Sequence, residues 1–183
     1  MPRSFKSFAL LQSKALFPVL AACVALVCCA GLVLLLNAQA PAADHHTWKV
    51  YTNVRFQYSI CYPEDLLAPQ AEAGNSDGRK FLAKDGAKLI VFGQNNALNE
   101  TLQDALDDTA SRLTGASGKV TYKAVKPDWF VVSGENGQSI FYAKTLYAHE
   151  QFKAFELTYS SGASAVYKPI VSRLASCFVS TGR

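Results

Sequence analysis

Between residues 54 and 62 apolar and polar side chains alternate, with Phe56, Tyr58, Ile60 and Tyr62 on one face, so the pattern predicts a half-buried strand stopped by Pro63. Residues 68–78 carry polar side chains and glycine without periodicity and read as a loop. Residues 79–84 and 87–93 then flank Asp85-Gly86, a two-residue hairpin signal because both positions accept positive φ. The same logic sets Asn136-Gly137 between strands at 129–133 and 138–147. Further strands are predicted over 119–125 and 152–159. Two stretches change period. Leu102, Leu106, Ala110 and Leu113 recur at helical spacing between Thr101, which forms a capping-box pattern with Asp104, and Gly115, a helix stop. Val166, Ile170, Leu174, Cys177 and Phe178 form a second helical stripe, with Pro169 confined to its early turns. Strands in the middle and two separated helices predict an α+β fold with a mainly antiparallel sheet.

Ahead of that pattern stands an uncharged run of 22 residues, 15–36, following a basic stretch, 1–14, with Arg3, Lys6 and Lys14. As a helix the run measures roughly 33 Å at about 1.5 Å per residue, enough for a hydrocarbon core about 30 Å thick. The flanking cations should stay in the cytoplasm, which places the rest of the chain outside it. Three readings stay open: an uncleaved transmembrane anchor, a signal peptide cleaved near Ala40-Pro41-Ala42, and lipidation at Cys23 behind Leu20-Ala21-Ala22. The thirteen residues after Cys23 remain apolar, which speaks against a lipid tether there. Cys28 and Cys29 share the run and read as small hydrophobes. Residues 37–47 form a linker and 48–183 an exported domain in the periplasm, with the anchor in the inner membrane or, if cleaved, none.

Charge then removes one class of function. The chain carries a net +4 from 18 basic and 14 acidic residues. Three of the cations precede Ala40 and no acid does, so the remainder holds 15 against 14. Without clustered Lys and Arg on one face, nucleic-acid binding is an unsupported reading.

Candidate chemistry is sparse. There is no nucleophile elbow, HExxH, CxxC, phosphate loop or dinucleotide fingerprint, and Gly115-Ala116-Ser117-Gly118 lacks the lysine of a phosphate loop. His149 beside Glu150 falls in a hairpin turn, and Asp104, Asp107 and Asp108 fall on the solvated face of one helix. No cofactor is implied, and a non-enzyme is favoured over a cryptic hydrolase. Tyr58, Phe92, Trp129, Phe141, Tyr142, Phe155 and Tyr159 offer either cross-strand packing or a stacking platform for a partner. Cys61 and Cys177, the two cysteines beyond the apolar run, form an even pair that an oxidising compartment would join; two separate buried thiols are the alternative. Cys61 falls on the strand face of Gln57 and Ser59, so the closing helix has to reach that second face. Cleavage after Ala42 or Ala43 would leave His45 or His46 third from a free amine. An amine, two backbone amides and an imidazole suit square-planar Cu(II) or Ni(II); otherwise both histidines are polar tether residues.

Trp48 and Tyr51, the run FQYSICYP over 56–63, the strand at 155–159 and the closing Tyr167, Pro169, Cys177 and Phe178 together resemble the PsbP-like superfamily. That superfamily includes the PsbP protein of photosystem II, a Ran-binding import-factor family and exported bacterial DcrB-type proteins. The resemblance implies an antiparallel sheet flanked by helices, no shared catalytic residue, and work by binding other proteins. The reading is therefore a membrane-tethered or periplasmic interaction domain of the bacterial envelope. A cleaved periplasmic small-ligand or metal-binding protein, or a hydrolase, is the alternative.

Overall fold

The computed structural model describes residues 45–182. The apolar run 15–36, Cys23, Cys28, Cys29 and the two cleavage positions lie outside the described residues.

The strand expected over 54–62 is instead a turn followed by a strand. β1 (Trp48–Asn53) pairs antiparallel with β2 (Tyr58–Pro63), from Trp48 opposite Pro63 to Asn53 opposite Tyr58. The chain reverses between them because the Asn53 carboxamide accepts the Phe56 N–H at 2.8 Å and Gln57 takes φ 53°. Phe56 still turns inward, against Gly93, where any Cβ would lie 2.3 Å from the Phe56 ring. Tyr58, Ile60 and Tyr62 keep the buried face that their alternation predicts.

Residues 68–78 also depart from expectation. Ala68–Glu72 forms β3, an edge strand on β4 (Gly78–Leu82), with a bulge between Pro69 and Glu72. Its side chains are nearly all exposed, so no buried face imprinted an alternation. β5 (Lys88–Asn95) follows a turn at Gly86, φ 91°. β6 (Lys119–Lys126), β7 (Trp129–Asn136), β8 (Ser139–Ala148) and β9 (Gln151–Ser160) complete a seven-stranded sheet in the order β3-β4-β5-β9-β8-β7-β6. Asn136 is the last residue of β7 and pairs with Ser139, so the turn expected at Asn136-Gly137 falls one residue later, on Gly137, φ 59°, and Gln138; His149 and Glu150, φ 54° and 56°, close the next. Every pairing is antiparallel.

α1 (Leu102–Thr114) starts at Thr101 with a full capping box and ends at Gly115, φ 58°, whose N–H returns to Ser111. Thr101 holds the Asp104 carboxyl below its ordinary range through that hydrogen bond. α2 (Ser164–Cys177) presents Tyr167, Ile170 and Leu174 inward, while Val166 is 45% exposed. The stripe is therefore shifted by one residue at its start. Tyr167 buries its ring and donates its hydroxyl to the Asp85 carboxylate at 2.9 Å, and with Asp85 as its partner it displaces the aliphatic Val166. Pro169 lies within the helix. β10 (Val179–Ser180) then pairs with β2, giving a second sheet in the order β1-β2-β10.

Two layers cover opposite faces of the large sheet. On the face called front, Phe81, Leu89, Phe155 and Leu157 meet Tyr51, Tyr58, Ile60 and Tyr62 of the small sheet and Ile170 and Leu174 of α2. On the back, Leu106 and Ala110 of α1 meet Phe130, Val132, Phe141 and Ala143. The front layer sits over β4, β5 and β9 and reaches Ile140, Tyr142 and Leu146 of β8, whereas the back layer sits over β7 and β8. The fold is thus α+β, with antiparallel sheets and two helices.

Candidate functional site

Because the front layer stops short, the front of β6 is left largely open, while on β7 Val131 is buried and Trp129 and Ser133 are half-buried. Register places Lys119, Tyr122, Ala124 and Lys126 of β6 on this side, opposite Glu135, Ser133, Val131 and Trp129 of β7. Tyr122 is 56% exposed. Beside them, α2 and the sheet enclose a trough of about 360 Å³, with Tyr142 and Tyr159 in its lining, Lys168 from the helix and Thr121, Ser133 and Glu135 from the strands. Burial raises the hydroxyl pKa of Tyr142 and of Tyr159.

Of the aromatics named from sequence, Tyr58, Phe141, Phe155 and Tyr159 are core. Phe92, Trp129 and Tyr142 are half-buried. Tyr142 stacks on Phe155, centroids 5.8 Å apart, so it joins the covered core to the open face. Tyr122, the most exposed aromatic of this face, was not singled out by sequence; no periodicity marks which strand ends uncovered.

Two lysines beneath the end of α2 also escaped sequence reasoning. Lys144 donates to the Ala175 carbonyl at 2.6 Å, at the helix C-terminus where a cation is favoured, and lies 5.9 Å from the Trp129 ring. Lys153 has no exposed surface and donates to Ser180 Oγ at 2.9 Å. Burial lowers the pKa of both.

Between α1 and the back of the sheet lies a smaller polar cavity of about 160 Å³, lined by Glu100, Asp108, Arg112 and Thr145. Arg112 grips the buried Glu156 carboxylate with two hydrogen bonds, 3.1 and 2.5 Å. That pairing, chiefly the hydrogen bond, raises the Arg112 pKa. Asp107 is engaged by Gln103 and Lys123, which lower its pKa, and Asp104 caps α1. The three acids thus do not converge on one point. No group of three or more metal-ligating side chains occurs among the described residues.

Cys61 and Cys177 are joined, S–S 1.95 Å, and the Cα atoms are 5.8 Å apart. The last turn of α2 reaches β2 at this point, and the Cys61 N–H also points at the Cys177 sulfur, 3.0 Å away. Arg173 from the same helix lies 4.2 Å from the Trp48 ring centroid. His46 Nδ1 lies 2.7 Å from the Asp65 carboxylate, and the Thr47 N–H donates to the same group. Those contacts, His46 first, lower the Asp65 pKa. His45 is exposed. The free amine that a Cu(II) site at His45 or His46 requires belongs to residues outside the described ones. His149 is an exposed turn residue.

A polar lattice ties the two sheets at their edge. Tyr51 donates to Glu72 at 2.5 Å, Arg79 donates to the other Glu72 oxygen at 3.1 Å, and the buried Asn53 amide donates to the Ser76 carbonyl at 3.0 Å. All of these groups satisfy one another, which makes the lattice a structural joint.

No protein-family model and no curated protein sequence matches the chain. Among solved structures, the chain is similar to cyanobacterial PsbP (CyanoP) from Synechocystis sp. PCC 6803. The match has 15% identity and a TM-score of 0.57, and it covers 79% of this chain and 98% of that one. At such identity the likeness concerns architecture alone, and the described residues have a PsbP-like fold.

Proposed function

We propose that this chain is a bacterial envelope protein whose folded domain stands outside the cytoplasm and binds another envelope protein without transforming it. The observation that carries the reading is the open front of β6. One sheet devotes most of its front face to its own core and leaves this end, with the exposed Tyr122 flanked by the half-buried Trp129 and Tyr142, without a covering layer. The uncharged run 15–36 behind a basic start supports export, and the Cys61–Cys177 bond fits an oxidising compartment. The same run supports a tether in the inner membrane, with residues 37–47 as linker.

A second reading has its own observation. The polar cavity beside Arg112 and Glu156 suits a small hydrophilic ligand in chemistry, but at about 160 Å³ it is smaller than the roughly 300–1,000 Å³ of ordinary ligand sites. The interaction reading is therefore preferred.

Reporters fused after Arg183 test the location. A phosphatase active only in the periplasm should be active, and a reporter fluorescent only in the cytoplasm should be dark; the reverse pair refutes export. N-terminal mass spectrometry of the purified protein separates anchor from cleaved signal. If the new terminus is Ala43 or Asp44, copper titration with His45→Ala and His46→Ala tests the metal reading.

A further inference from the structure

We propose that the outer edge of β6 receives an extended, acidic segment of the partner protein as an added strand. The inference deepens the interaction reading above and rests on it for the existence of a partner, but its geometry is independent of where the domain resides.

Four strands end the two sheets: β3 and β6 in the large one, β1 and β10 in the small one. β10 has two residues. β3 has five, contains Pro69, which has no N–H to donate, and is bulged between Pro69 and Glu72. β1 has six residues in unbroken register but a single cation, Lys49, so its side chains carry little charge to select an added strand. β6 differs. Its bulge is confined to Val120–Tyr122, after which Tyr122 to Lys126 run in unbroken register with Ser133 to Trp129 and contain no proline. The five residues form an edge about 17 Å long, at roughly 3.4 Å each; Tyr122, Ala124 and Lys126 bond to β7, and the N–H and C=O groups of Lys123 and Val125 turn outward, where they can hydrogen-bond a further strand.

The side chains along this edge select what can be added. Lys119, Lys123 and Lys126 belong to the strand, and it has no acid of its own. A second copy of the strand would meet it with like charge, the usual protection of an edge against self-pairing. An acidic strand meets the same lysines with attraction. Two of them already hold carboxylates, Lys119 with Glu135 at 3.2 Å and Lys123 with Asp107 at 3.1 Å. These pairs are exposed, of the kind that contributes little, so exchanging either carboxylate for one on the partner costs little. Tyr122, on the front, and Val125, on the back, are 56% and 42% exposed and supply apolar contact on both sides of the added backbone.

The test uses the full chain in detergent micelles and two fluorescein-labelled eight-residue peptides, one alternating glutamate with threonine and one alternating lysine with threonine. Fluorescence polarisation should show the glutamate peptide binding at least about tenfold more tightly than the lysine peptide. The combined change Lys119→Glu, Lys123→Glu and Lys126→Glu should reverse that preference. Val125→Pro, which leaves every charge in place and removes an outward N–H without touching the β6–β7 ladder, should weaken glutamate-peptide binding about tenfold, with a thermal unfolding scan to show that the fold is retained. The triple variant keeps the test decisive if the proline variant does not fold. Amide exchange of Lys123 and Val125, whose N–H groups face outward, should slow when the peptide is added. The inference is overturned by absence of glutamate-peptide binding, by binding that the triple variant leaves unchanged, or by protection that falls on other strands. A dimer of the chain that Val125→Pro dissolves would assign the edge to a second copy and overturn it as well. Failure of the location reporters would sink the envelope reading while leaving these peptide results standing.

Discussion

On the front of a single sheet, the half over β5 and β9 and the half over β6 and β7 meet different fates. Over the first, Leu89, Val91, Phe155 and Leu157 lie under a second sheet and a helix and lose essentially all contact with solvent. Over the second, Lys119, Tyr122 and Lys126 are exposed beside Glu135, while Ala124 and Ser133 are half-buried and Val131 is buried. Both halves belong to antiparallel strands with the same pleat, so backbone geometry does not separate them. Composition does. Where a layer exists to bury them the strands spend aliphatic and aromatic residues, and where none exists they carry lysine, serine and an aromatic able to face water. The covering layer is held by a covalent tie from β2 to the end of α2, and the open half has no such cover.

The largest effects should come from the covered half. Replacing Cys61 and Cys177 together by serine opens a loop spanning a separation of 116 residues and should cost about 4 kcal/mol in the chain-entropy picture, read by urea unfolding. Amide exchange should then rise in β1, β2 and α2 more than in α1 and β6–β8; uniform loosening would erase the distinction between the halves. Phe155→Ala, at a fully buried position against Tyr142 and Phe178, should cost about 3–4 kcal/mol. Tyr122→Ala on the open half should stay within about 0.5 kcal/mol. Equal losses from the two would show that the open half is also core.

Smaller changes sharpen the boundary. Lys153 is a cation within the covered half, and burial lowers its folded-state pKa. Folding therefore disfavours its charged form, a penalty present while the unfolded lysine is charged and relieved as pH rises toward the ordinary lysine value near 10.4. Lys153→Met should stabilise the protein by about 1 kcal/mol at neutral pH, with the gain shrinking as pH rises through the lowered folded-state pKa toward the ordinary lysine value. Destabilisation at neutral pH would mean that the bond to Ser180 outweighs desolvation. Thr101→Ala removes the cap of α1 and should cost about 1 kcal/mol, confined to the back layer.

Elements whose signal is local were legible in the sequence. Gly86 and Gly137 occupy positive φ in hairpin turns, and Thr101, Asp104 and Gly115 bound α1 where the cap chemistry places them. What sequence missed depended on contacts made elsewhere in the chain. β3 has no buried face and so left no alternation, and the alternation over 54–62 ran through a turn made by the Asn53 side chain. Val166 fitted a helical period as well as Tyr167 does, and the bond to Asp85, far away in sequence, accompanies the inward Tyr167. β9 becomes a central strand only by pairing with β5 and β8 together, which is why Lys153 and Glu156 looked like ordinary polar positions. Tyr122 stood out only once the reach of the front layer was known.

The contrast between the two halves is tested most directly in living cells by a photo-crosslinking amino acid placed at Tyr122 and, separately, at Leu98. Leu98 is 80% exposed and lies outside the open half, so it controls for exposure alone. A discrete crosslinked partner from position 122 and none from 98 is the expected result. The same adducts from both positions, or an adduct from 98 only, would contradict the assignment of the open half as the binding face.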